Sequence, residues 1–296
     1  MTALVALAAG PAVHRLGEGP VWDPDRHRLL WVDIPVGVVH YGRLAADDSV
    51  IAEGSWSFAG TVGAVALAAD GQLLVAGQES VLRVTPDGAR IPVATVLAPG
   101  GHRLNDGAVD PAGRFLVGSL ALDGSSGGQV LVRLDPGGPT VLDDDLTLSN
   151  GLAWSPNGDR MYSIDSTPRT VWVRDYDAAT GATGARRLAF AIEDGLPDGM
   201  CADVDGNLWI AVWGRGRVEC RNPDGQLVAT VAVAAPHTSS VTFAGPELDI
   251  LVITTAHEDL SEAERVAHPE AGQLFTVRPG IRGVPVPYWD PSTIIG

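Results

Sequence analysis

The stretch HRLNDGAVDPAGRFLVGSL, residues 102–120, decides the fold. Its apolar residues lead into a turn of Asp110, Pro111 and Gly113, and an alternating apolar run leaves that turn. Such a pattern reads as two antiparallel strands joined tightly. It recurs in VWDPDRHRLLWVDI, ALAADGQLLVAG, LAWSPNGDRMYSID, CADVDGNLWIAVW and VTFAGPELDILVIT. Aligned on the first turn residue, the copies fall at Asp23, Ala68, Asp110, Ser155, Asp203 and Phe243 or Ala244. The intervals, taken to Ala244, are 45, 42, 45, 48 and 41 residues.

Units of roughly 44 residues have the period of a four-stranded propeller blade. Further strands such as SVLRVTPDG, GQVLVRLDPGG and RVECRNPDG end at Asp-Gly or Gly-Gly turns, as outer hairpins do. The expectation is an all-β, six-bladed β-propeller with four-stranded blades, residues 1–296 making one domain. The leading TALVALAA should supply the outer strand of the last blade, because an open ring would leave bare sheet edges. Helical periodicity shows only in EDLSEAERVA, residues 258–267, which predicts one short surface helix.

Composition narrows the function. The net charge is −16, from 20 basic against 36 acidic residues. Such a surface repels phosphate backbones, so nucleic acid is not an expected partner. No apolar run reaches the ~20 residues that span a bilayer, so no membrane is expected either. MTALVALAAGPAV lacks the basic start of a signal peptide and reads as strand. Two cysteines, Cys201 and Cys220, make no disulfide framework and fit a reducing cytoplasm. All 20 basic residues are arginine, which removes Schiff-base chemistry and any lysine-bearing phosphate loop.

Five residues before each turn stand Glu18, Gly63, Asn105, Asn150, Asp198 and Ser239. In a propeller these positions are related by rotation and meet at one end of the axial channel. Asn-Gly and Asp-Gly alone are turn chemistry. Four polar residues in register, with a glutamate among them, point instead to a site. Two carboxylates and two amides make an oxygen-only pocket, suited to Ca²⁺, Mg²⁺ or Mn²⁺ rather than a thiolate-seeking metal. Arg103 sits just above the ring.

GEGPVWD, RLNDGAVDPAGRFLVGSL, SNGLAWSPNGDRMYSID, PDGMCADVDGNLWIAVWGRGRV and EAGQLF together resemble the regucalcin/gluconolactonase (senescence marker protein/lactonase-like) family. The likeness runs from about Leu16 to Phe275. It implies a six-bladed propeller with one divalent metal at its centre, one of Ca, Zn, Mn, Mg or Fe, and hydrolysis of a small-molecule sugar lactone. It further implies that Glu18, Asn150 and Asp198 bind the metal, while Arg103, Asn105 and Asp123 hold the substrate. Asp123 is shorter than the family's usual Glu, and Leu104 stands where Phe is common. A monomer or small homo-oligomer is expected.

Lactone hydrolysis needs a polarised carbonyl and an activated water. Asp198 is the candidate general base and Arg103 a rigid fork for substrate oxygens. GSSGG, residues 124–128, matches a nucleophile elbow in letters only, since no helix follows. Asp203-Val-Asp205-Gly206 opens like a calcium loop but lacks the later ligands. Alternative readings are a calcium-binding regulatory propeller without turnover, a phosphotriester hydrolase, and a protein-interaction propeller.

Overall fold

A computed structural model describes residues 2–294. It is an all-β propeller with four-stranded blades and one short helix. The first blade runs outward from Gly17–Asp23 through Arg28–Asp33 and Val38–Leu44 to Val50–Ser57. Three more separate four-stranded blades have Ala64–Leu67, His102–Val109 and Ser149–Trp154 as inner strands. Each inner strand pairs antiparallel with the next in sequence across one of the Asp/Pro/Gly turns.

The expectation of six blades needs correcting, because only four stand alone. The strands of the last two repeats, with inner strands Leu196–Ala202 and His237–Ala244, merge into one nine-stranded sheet. The join is a single pair, Trp213 with His237. Their rings stack with centroids 4.1 Å apart, which draws the two repeats together at that edge. At the axis the six-fold register persists, since the six inner strands touch in cyclic order.

The N-terminal segment divides its pairing. Leu7–Ala8 lies antiparallel to Phe275–Val277, while Thr2–Val5 runs parallel to Leu227–Ala232 of the preceding repeat. The helix is shorter than 258–267, covering Glu262–Ala267. Ser261 accepts from the Glu264 N–H, and the Glu264 side chain returns to the Ser261 N–H, so this capping box fixes the start. Cys201 and Cys220 are free thiols. No helix among the described residues is long and apolar enough to cross a membrane.

Apolar residues alternate into the spaces between blades, and several clusters mix neighbouring repeats. In one of these spaces Trp31 Nε1 donates to His14 Nε2 at 2.9 Å, and His14 Nδ1 meets the Gly272 carbonyl at 2.8 Å. Both nitrogens are engaged by a neutral ring, and burial holds His14 below its usual pKa. His40 stacks on Trp31 and is lowered to about 4, by burial first and by His14 second. A neutral native His40 that protonates on unfolding contributes stability fully above 6.5 and loses it as pH falls toward 4. Urea unfolding at pH 7, 5.5 and 4.5 should therefore show a steeper acid loss for wild type than for His40→Gln.

Candidate functional site

The ring residues reach the axis because their strands break register there. Shifts fall between Glu18 and Val21, Leu104 and Gly107, Asn150 and Leu152, Pro197 and Met200, and Thr238 and Ser240. Such a bulge re-aims a side chain that regular pleating would send elsewhere. The second inner strand pairs regularly with its neighbour and is preceded by Gly63, where any Cβ would collide with the Asn105 carbonyl. In the sixth repeat Ser239 turns away from the channel. Its Oγ donates to the Gly17 carbonyl at 2.6 Å and meets Thr254 Oγ1 at 2.9 Å.

Two aspartates fix the approach to the ring. Asp33 accepts from the N–H groups of Arg15 and Leu16, ahead of Glu18. Asp165 accepts likewise from Thr147 and Leu148, ahead of Asn150. Each lies fifteen residues past its ring residue, at the end of the second strand. The same repeat alignment that located the ring holds this signal.

Glu18, Arg103, Asn105, Asn150 and Asp198 line a single cavity of about 280 Å³. Asp123 is not brought in. It occupies an exposed turn, where its carboxylate accepts from the Ser125 N–H at 2.9 Å. The cavity also takes Ser166, Trp213, Glu258 and Asp259. Of these only Trp213 lies within one of the family-like motifs, at WGRGR. The others come from strand ends and from the stretch ahead of the helix, outside the ring alignment.

Hydrogen bonds run through the site in one direction. Arg103 Nη1 donates to Asn105 Oδ1 at 2.6 Å, and Asn105 Nδ2 to Asn150 Oδ1 at 2.7 Å. Asn150 Nδ2 then donates to Ser166 Oγ at 2.8 Å, and Ser166 Oγ to the Pro197 carbonyl at 2.6 Å. Pro197 precedes Asp198, so the chain links three repeats. Asn105 also donates to the Ser149 carbonyl at 2.9 Å, which commits its amide to positioning Asn150. Arg103 makes both its hydrogen bonds from Nη1, leaving Nη2 and Nε available.

The carboxylates are under-compensated. Burial, then Asp106, pushes Glu18 up to about 8. Burial, then Glu18 and Asp106, raises Asp198 well above the usual carboxylate range. Asp106 itself is raised to about 6 by burial. Among the described residues the buried cation beside them is Arg103, lowered to about 10 by its own burial. Among the described residues no trio of His, Cys, Asp and Glu gathers at one point. The donors are instead two carboxylates with the Asn150 amide oxygen. An oxygen-only set of buried donors with excess negative charge fits a hard divalent cation.

The comparisons agree with this architecture. The SMP-30/Gluconolactonase/LRE-like region matches residues 16–257. The chain belongs to that family. A pentonolactonase of Haloferax volcanii is 36% identical over 280 residues, covering 92% of this chain and 93% of that protein. The regucalcin of Bos taurus is 32% identical over 295 residues, covering 92% and 93%. A solved regucalcin from Agrobacterium tumefaciens, described as a calcium-binding protein, superposes with a TM-score of 0.90 at 25% identity, covering 98% of this chain and 99% of that one. This family member thus has relatives whose names carry lactone hydrolysis and calcium binding.

Asp165→Ala strands the donors that set the path to Asn150, at a cost of about 1–3 kcal/mol for unsatisfied groups. Urea unfolding should register that loss. The exposed pair Arg187–Asp175, cut by Asp175→Ala, should change stability by no more than about 1 kcal/mol.

Proposed function

We propose that the protein is a divalent-metal-dependent hydrolase that opens a sugar lactone to its aldonic acid. The observation that carries this reading is the cavity itself. It joins a vacant guanidinium edge, an oxygen donor set and a carboxylate without a side-chain donor in one buried space. The names of the pentonolactonase and of other family members support the substrate class. Two free thiols fit a cytoplasmic setting, and residues 1–296 are read as one propeller domain.

Glu18, Asn150 and Asp198 are the proposed metal ligands. A divalent cation held there supplies Lewis-acid polarisation of the lactone carbonyl. Arg103 directs Nη2 and Nε at substrate oxygens, and Asn105 keeps that guanidinium and Asn150 in register. Asp198 takes a proton from the attacking water as its oxygen bonds to the carbonyl carbon. Collapse breaks the acyl–oxygen bond of the ring, and the departing alkoxide recovers the proton from Asp198. Positioning in the cavity, where the Glu18 and Asp198 side chains are buried, keeps these charge interactions strong.

A pH-drop assay on a panel of aldonolactones, with and without Mn²⁺, Zn²⁺ or Ca²⁺, tests the reading. Turnover that ceases on chelation supports it, and full-rate apo activity removes the metal from catalysis. Calcium binding without turnover would favour the regulatory reading, and turnover of phosphotriesters alone would change the bond attacked.

Asp198→Asn at saturating metal should lose at least ~10²-fold in kcat while folding normally, the usual scale of a general base. Recovery to within a few-fold of wild type would leave Asp198 a ligand only. Arg103→Lys should lower kcat/KM although charge is kept, because a point charge does not reproduce a planar fork. Protons compete with the cation for Glu18 and Asp198, so metal affinity should rise as pH rises toward about 8, where Glu18 gives up its proton. Calorimetry in buffers of different ionisation enthalpy should detect the released proton.

A further inference from the structure

The carboxylate expected at Asp123 faces solvent, but the cavity has acquired acids from the opposite side. Glu258 and Asp259 line it, on the segment between the strand Ile250–Ala256 and the helix. That segment is held firmly. The N–H groups of His257 and Glu258 both donate to the Arg15 carbonyl, at 3.2 and 2.9 Å. Arg15 also grips the Glu258 carboxylate at 2.8 Å. His237, stacked on Trp213, bonds the Glu258 carbonyl through Nδ1 at 3.0 Å.

Asp259 completes the arrangement. Its φ of +61° is a conformation few non-glycine residues adopt, and buried Leu260 and the cap Ser261 lock the following turn. Among the described residues Asp259 has no ion pair. The cavity wall thus presents two carboxylates on a fixed segment, a few residues from a helix that stays clear of the site.

Charge decides what such an edge admits. Even with a dication on Glu18 and Asp198, the cavity edge pairs Glu258 with Arg15 and leaves Asp259 without an ion pair among the described residues, with Arg103 the cation that lines the cavity. Hydroxyl groups donate to carboxylates, whereas an anionic group there meets like charge in a partly desolvated space. Discrimination of this kind depends on the repulsive element as much as on the attractive one.

We propose that Glu258 and Asp259 are specificity-determining residues that accept hydrogen bonds from the far hydroxyls of an uncharged sugar lactone and exclude lactones bearing a second anionic group. This rests on the lactonase reading above and names its substrate class as neutral polyhydroxylated lactones. The same edge disfavours retention of the carboxylate product.

The experiment compares kcat/KM for a neutral aldonolactone and for a matched lactone carrying a carboxylate at its far end. It uses wild type, Asp259→Asn and the double variant Glu258→Gln/Asp259→Asn, all metal-loaded. Wild type should favour the neutral lactone by about tenfold or more at low salt, with the gap narrowing as salt screens the edge charges. The double variant should lose most of that preference, chiefly through a lower KM for the anionic lactone and a lower Ki for the aldonate product. Asp259→Asn, at an exposed position, should fold normally and move the ratio the same way by a smaller factor. An unchanged neutral-to-anionic ratio in both variants, or a salt-independent preference, overturns the proposal while leaving lactone hydrolysis standing. Wild type that opens no lactone overturns the lactonase reading and this one with it.

Discussion

The site depends on one run of hydrogen bonds, from Arg103 through Asn105, Asn150 and Ser166 to the carbonyl before Asp198. Each link satisfies a buried polar group that would otherwise be costly, and two of the four, Asn105 to Asn150 and Ser166 to Pro197, cross from one repeat to the next. The run therefore does two things. It ties three repeats together at the axis, and it holds the arginine, the Asn150 amide and a carboxylate at set positions. A single truncation within it leaves partners unsatisfied on both sides.

Against that order stands an electrostatic cost. Glu18 and Asp198 share a cavity with Arg103, Asp106 acts on both carboxylates from beside it, and burial raises all three. Groups arranged like this are where function is most often found, since stability alone would not gather them. A cyclic array of inner strands tolerates the strain because every strand is supported by neighbours on both flanks. The bulges that aim the ring residues inward fall within the inner strands, next to the ring positions themselves.

The last two repeats show how regular architecture is bent to make a cavity edge. The Trp213–His237 stack closes the gap between them and fuses their sheets. His237 then anchors the segment that carries Glu258 and Asp259. A packing contact between repeats and a wall of the cavity are the same feature seen from two sides.

The repeat of Asp-, Pro- and Gly-rich turns determined the propeller, because a turn that must reverse the chain is a local requirement written in local residues. The in-register Glu18, Asn105, Asn150 and Asp198 likewise pointed to one cavity, since rotation about an axis turns equal spacing into proximity. Asp123 misled for a related reason: family position places a residue on a loop, but only the loop's path decides which way it faces. That path left Asp123 bonded within its own exposed turn. The merging of two repeats, the committed amide of Asn105 and the acids at 258 and 259 were decided by tertiary contacts between residues far apart in sequence. Arg15 with Glu258 and Trp213 with His237 are such contacts. Periodicity reports what each repeat does alone; the packing of one repeat on another settles what it does where it meets its neighbour.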